Sequence, residues 1–329
     1  MPELPETSQP TLDAIYKTYT DGASDWRRNH LGASVIGQEC ERKIWMDFRW
    51  CTNPSFDGRL LRLFQTGFNQ EARLLEDLRK AGIEIISEED GHQIRFEDFG
   101  GHYSGSLDAI GKNFNEAPAT YHVVECKTMN ARTFAQLKKK GVRIVEFEHY
   151  GQMQTYMGWA GLDRAFYFVV CKDTDEIYAE RVYFDQAEFD RLRLKADRII
   201  FANEPLYKIG DDVDNFKCRF CHHKWSCHST RIPEVNCRTC AFSDVADEGR
   251  WICTKFKTDL DPEQQRRWCD YHAFIPGLIP LEQVDADAEK GWIIYASGIT
   301  NGYGATLSRN MQDAVDGITN GNALKQNGE

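Results

Sequence analysis

The run Tyr121-His122-Val123-Val124-Glu125-Cys126-Lys127-Thr128 reads as a β-strand in which Val124 and Cys126 turn to one side while Glu125 and Lys127 share the other. An acid and a base therefore stand side by side on one face of a sheet. Upstream, Ser104-Gly105-Ser106-Leu107-Asp108-Ala109 reads as a neighbouring strand, antiparallel because the connection is short. Asp108 then reaches the same edge as Glu125. Two converging carboxylates make a hard, oxygen-rich site suited to Mg²⁺ or Mn²⁺, with the backbone carbonyl of Cys126 as a further ligand. Such an ion lowers the pKa of a bound water and offsets charge developing on a phosphodiester, while Lys127 positions the water or steadies the transition state. The plain alternative is a surface ion pair between Glu125 and Lys127. The surrounding pattern weighs against it.

Working outward, residues 58–82 carry Leu60, Leu61, Leu63, Phe64, Phe68, Leu74, Leu75 and Leu78 at helical spacing, with Gly82 as a stop and Gly67 as a point where the helix could break. Strands are expected at 83–87, 92–97, 103–111 and 121–128, and helices at 131–141 and 146–160. Two more strands at 164–171 and 176–184 are joined by the turn Lys172-Asp173-Thr174-Asp175, and 186–203 is again helical. The order is helix, strands, helices, strands, helix.

Asp108, then Glu125-x-Lys127, then Gln152 and Tyr156 on a following helix, resemble the motifs of the PD-(D/E)XK nuclease superfamily, in particular its RecB-like branch. Leu107 stands where the name of the superfamily has proline. The resemblance implies an α/β, restriction-endonuclease-like core, a central mixed sheet flanked by helices, and Mg²⁺- or Mn²⁺-dependent cleavage of DNA. It also implies an acid on the helix before the sheet. Glu71, in Gly67-Phe-Asn-Gln-Glu71-Ala, fits best, with Glu76 and Gln70 as fallbacks. Gln152 and Tyr156, four residues apart, share a helical face that would contact the scissile strand. His149 is read as structural.

Eleven cysteines are many for a chain with neither a secretory leader nor the roughly 20-residue apolar run a membrane span needs. Membrane partners are not expected, and a cytoplasmic setting, bacterial or in a phage-infected host, is. Persistent disulfides are uncommon there, and clustered cysteines more often hold metal. Cys218, Cys221 and Cys227 fall within ten residues; the fourth ligand is one of His222, His223 or His228, which would suit zinc, or a distant cysteine. Cys40, in Ser34-x5-Cys40-x-Arg42, resembles the leading element of iron-sulfur nucleases of the AddB and CRISPR-adaptation types. That resemblance implies a [4Fe-4S] cluster on Cys40, Cys218, Cys221 and Cys227, clasping the two ends of the domain. Cys237, Cys240, Cys253 and Cys269 form a second, zinc-ribbon-like set with His272 as an alternative ligand, either contacting DNA or a protein or only stabilising the fold. Cys51, Cys126 and Cys171 are expected as buried free thiols.

The net charge of -11, from 51 acids and 40 bases, argues against a nucleic-acid partner when taken for the whole chain. By segment it does not. Residues 126–145 hold no acid but include Lys127, Arg132, Lys138, Lys139, Lys140 and Arg143, and residues 216–233 likewise include Lys217, Arg219, Lys224 and Arg231. These would make a basic path for DNA, with Trp225 or Phe220 stacking on bases, although a solvated charge run is the simpler reading of the lysine triplet. No Walker A pattern occurs, so a helicase or recombination partner would be another polypeptide. The expected layout is a flexible arm leading into a short helix (1–25), a nuclease domain closed by the iron-sulfur clasp (26–232), a zinc module (233–275) and a weakly ordered tail with one hairpin near 292–302 (276–329). The expected activity is a DNA exonuclease rather than an endonuclease, serving recombination, repair, phage DNA processing or CRISPR adaptation. The rivals are a nuclease-derived, non-catalytic DNA-binding or assembly module and a zinc-only protein.

Overall fold

The structure is a computed structural model describing residues 9–23, 25–287, 291–296, 298–302, 310–313, 315 and 316. The chain divides into two units, one of Met1–Trp26, Pro54–Arg95 and Ser106–Asp185, the other of Arg27–Asn53, Phe96–Gly105 and Gln186–Glu329. Neither unit coincides with the expected segments, because residues 27–53 and 96–105 group with the cysteine-rich half.

The first unit is built on a five-stranded sheet whose spatial order follows the chain: β1 Glu84–Ile86, β2 Ala109–Lys112, β3 His122–Met129, β4 Arg164–Cys171 and β5 Ile177–Tyr183. β3 and β4 are parallel and the other neighbours antiparallel. This is the expected mixed sheet, and its one parallel pair requires a crossover. The longer helices beside it are α1 Pro10–Asp21, α2 Gly58–Lys80, α3 Ala131–Lys140 and α4 Phe147–Ala160, with the single turn Val142–Val145 between the last two. The Asp57 carboxylate caps α2 by accepting the Leu60 N–H at 2.7 Å, and Asn130 caps α3 through the Thr133 N–H at 2.9 Å. Leu74, Leu75 and Leu78 of α2 pack with Val124, Cys126, Phe166, Phe168 and Val170 on one face of the sheet. The other face carries Glu125, Lys127 and Tyr167, where α4 lies: His149 hydrogen-bonds Tyr167 at 2.6 Å. β4, apolar along nearly its whole length, is buried on both faces.

Two expectations change in this unit. Residues 103–111 are two strands, Tyr103–Ser106 and β2, in different sheets, because the Leu107 N–H donates to Ile94 O at 2.9 Å and the chain turns there, leaving Asp108 at the corner. α2 runs unbroken through Gly67. The short helix expected within residues 1–25 is α1, which packs on α2 at Gly58, where a Cβ would stand 2.2 Å from the Tyr16 carbonyl oxygen. Only glycine fits that approach.

In the second unit, the helices Glu41–Phe48 and Gln186–Phe201 pack together, and two small three-stranded sheets follow them in the chain. Lys195 donates to the carbonyls of Ile36, at 2.9 Å, and Gln38. Arg238, from the second cysteine set, is fully buried among Trp50 and Trp251, with ring centroids 3.8 and 4.4 Å away. Its guanidinium donates to Phe48 O, Asn29 O and Gln265 Oε1, each at 2.9 Å. The expected zinc module therefore shares its core with residues 27–53. Within residues 276–329, the described Gln283–Asp287, Trp292–Tyr295 and Thr300–Gly302 form a sheet, and Met311 and Val315 are buried with Ile232, Phe274 and Tyr295. Residues 317–329 lie outside the described part.

Candidate active site

The corner at Asp108 is fixed from two sides. Its Oδ2 accepts the Cys126 N–H of β3 at 2.8 Å, and two residues earlier Ser106 O accepts the Tyr156 hydroxyl of α4, also at 2.8 Å. The register of β2 on β3, Ala109 opposite Val124, brings Asp108 to Glu125. Glu125 is 0% exposed. It does not sit on an open sheet surface, because α4 covers that face. Lys127 Nζ donates to its Oε1, while Oε2 is buried with no hydrogen-bond partner.

The electrostatics follow from that burial. Desolvation pushes the Glu125 carboxyl up to about 8; Lys127 opposes this, and Asp108 and Glu71 reinforce it. Asp108 is raised by burial against the pull of Lys127 and the Cys126 N–H. Glu71, one face of α2 away, is raised to about 6 by burial and by Asp108. Burial alone would lower the Lys127 ammonium, but Glu125 and Asp108 outweigh it and raise it. Three carboxyls are thus held short of positive charge around one lysine. A divalent cation supplies that missing charge, and the orphaned Glu125 oxygen is a donor already stripped of water, so the residues fit the ion.

The site opens into a cleft of about 570 Å³. Glu71, Cys126, Lys127, Thr128, His149 and Lys172 line it, together with the apolar Trp26, Phe56, Leu63, Phe64 and Phe68. Burial, and then Lys127, lower His149 to about 3, so its imidazole is neutral. Gln152 and Tyr156 are 5% and 2% exposed, so the strand contact expected of them is not open in this structure; Tyr156 acts on Asp108 through Ser106. Arg132, Lys138, Lys139 and Lys140 are exposed on α3, with Lys138 paired to Glu176 at 2.6 Å and Arg143 4.0 Å from Asp185. Lys127 and Lys172 are the cleft's cations. Lys172 and the aromatic residues were not singled out for function from sequence; helical periodicity marks Phe64 and Phe68 equally well as core.

In the second unit, Cys40, Cys218, Cys221 and Cys227 line one small cavity with His223 and His228. Cys40 caps its helix, its sulfur accepting the Lys43 N–H at 3.4 Å. His222 and His223 instead engage Asp47 Oδ1 at 2.6 and 2.9 Å. Among the described residues, Asp47, His222 and His223 form the group whose donor atoms all lie within 4.8 Å of one another. Burial would raise Asp47, but the two imidazoles and Lys43 hold it well below the usual carboxylate range, so its charge is already answered. Cys237, Cys240, Cys253, Cys269 and His272 line a second cavity. Burial pushes Cys237 up to about 12 and Cys240 to about 11, and His272 Nε2 already lies 3.0 Å from Asn236 O. Cys51, Cys126 and Cys171 are buried free thiols.

No protein-family model and no curated protein matches the chain. Among solved structures it is similar to an alkaline exonuclease, LHK-Exo, from Laribacter hongkongensis, at 14% identity and a TM-score of 0.40 over 56% of this chain and 90% of that one. The same protein in complex with dAMP gives 14% and 0.39, over 57% and 90%. A phage-related exonuclease from Haemophilus somnus gives 12% and 0.37, over 52% and 91%. No helix among the described residues is long and apolar enough to cross a membrane.

Proposed function

We propose that the chain is a Mg²⁺- or Mn²⁺-dependent DNA nuclease that works from strand ends. The observation that carries this is Glu125: a wholly buried carboxylate with one oxygen unpartnered, beside a lysine that opens onto a cleft. Glu71, Asp108 and Glu125, with the carbonyl of Cys126, would hold the ion. When bound, the ion supplies Lewis acidity toward a phosphodiester and its attacking water. Lys127, kept protonated by its two acidic neighbours, holds a phosphate oxygen or the water. Tyr156 keeps Asp108 at its corner. DNA recombination, repair, phage DNA processing and CRISPR adaptation are the settings such an activity serves, with any helicase supplied by a partner. The deciding experiment is digestion of labelled single- and double-stranded DNA with either metal; undiminished digestion by Asp108→Ala and Lys127→Ala would defeat the proposal, and DNA binding without turnover would favour the non-catalytic module.

We also infer that Cys40, Cys218, Cys221 and Cys227 hold a [4Fe-4S] cluster and that Cys237, Cys240, Cys253 and Cys269 hold zinc. Convergence of each set on one cavity supports this. Protein purified without oxygen is expected to be brown and to contain iron, sulfide and zinc. Cys40→Ser should lose the iron and keep the zinc, whereas zinc without iron in the parent would remove the cluster.

A further inference from the structure

The aromatic side of the cleft has no role in the chemistry described. Trp26, Phe56 and Phe64 meet edge to face, with ring centroids 5.3–5.5 Å apart, and Phe68 beside them is 62% exposed. Phe64, Phe68 and Glu71 fall on one face of α2, Phe64 and Glu71 seven residues or about 10 Å apart along its axis. Between them Gly67 leaves a notch: a Cβ built there meets no atom within 4 Å. Lys127 and Lys172 line the same cleft. An apolar ledge in a cleft that also holds two cations and the Glu71 carboxylate matches a chain of flat apolar bases on an anionic backbone.

We propose that this ledge binds the unpaired bases of a single strand, stacking them on Phe64 and Phe68 while Gly67 leaves room for the strand to pass. The proposal rests on the nuclease reading for the direction of the strand, and names its substrate as single-stranded DNA or a frayed end. A folded protein partner on the same ledge would use the aromatic residues but would have no need of bases.

That difference sets the test. Binding of the full-length protein to a fluorescent single-stranded DNA oligonucleotide, and to the same strand made abasic, is measured in Ca²⁺ for the parent, Phe68→Ala and Gly67→Leu. Both positions face open space, and melting temperatures confirm that the variants fold. Phe68→Ala should weaken binding of the ordinary strand by about tenfold, as loss of one base–aromatic stack does, and Gly67→Leu should weaken both strands by filling the passage. The abasic strand should bind weakly to the parent and be affected less than twofold by Phe68→Ala. Unchanged affinity of either variant for the ordinary strand, no binding by the parent, or equal loss on both strands with Phe68→Ala would overturn the proposal. Turnover in Mn²⁺ is measured on the same samples: absent turnover with the base-dependent pattern intact removes the nuclease reading alone, and turnover without that pattern removes the ledge alone.

Discussion

Glu125→Gln is expected to lower DNA hydrolysis in Mn²⁺ by about 10²–10³-fold, the scale of losing one charged group that acts on the transition state, while making the metal-free protein no less stable at alkaline pH. Glutamine keeps the shape of the side chain and removes the charge that burial disfavours. The folded carboxyl, at about 8 against 4.5 for a free glutamate, binds its proton more tightly than the unfolded chain does. Stability contributed by that proton is therefore complete below about 4.5 and is lost as pH rises toward about 8. Glu71, at about 6, adds to the decline in the lower part of the window. The glutamine variant lacks the Glu125 part and should show a flatter curve. Thermal melts in chelator from acid to mildly alkaline pH test this; equal slopes for parent and variant would refute it. Because metal and proton compete for the same oxygens, Mn²⁺ should restore the parent more at alkaline than at acid pH and the variant hardly at all.

Arg238→Ala is expected to cost about 3 kcal/mol or more of stability, with no direct effect on the cleft chemistry. The guanidinium is desolvated between Trp50 and Trp251, and burial lowers its pKa well below the usual value. Among the described residues no carboxylate partners it; two backbone carbonyls and Gln265 accept its hydrogen bonds. Alanine leaves those buried acceptors unpaired and removes the cation–π contacts with Trp50 and Trp251, each effect being worth about 1–3 kcal/mol at a desolvated site. Arg238→Lys should recover little, since an ammonium cannot reach all three acceptors in the plane of the fork. Urea unfolding of the metal-loaded protein gives the comparison, and a change under about 0.5 kcal/mol, the size of an ordinary surface substitution, would exclude this role.

The sheet and its charged residues were legible because they depend on alternation and short connections. The Val124/Cys126 and Glu125/Lys127 faces follow from strand period alone, and the approach of Asp108 to Glu125 from the short connection between β2 and β3. Burial of Glu125 was not legible, since it depends on α4 lying over that face, and α4 has no amphipathic stripe to announce it: residues from Tyr150 to Met157 are buried all round. The burial of Met311 and Val315 was not legible because they pack with Ile232 and Phe274, partners too far along the chain for periodicity to register. The aromatic ledge was hidden among helical apolar positions, because spacing shows which residues share a face and not whether anything covers it.

The second unit takes its residues from three separated stretches, and this sets an order of events during synthesis. Cys40 leaves the ribosome 178 residues before Cys218, which at about 5–20 residues per second is a wait of roughly 9–36 s. The first unit is complete at Asp185, so its sheet can close while the thiol of Cys40 still has no companions. Any ion or cluster shared by Cys40 and Cys218 would therefore be loaded onto a chain whose first unit has had time to form.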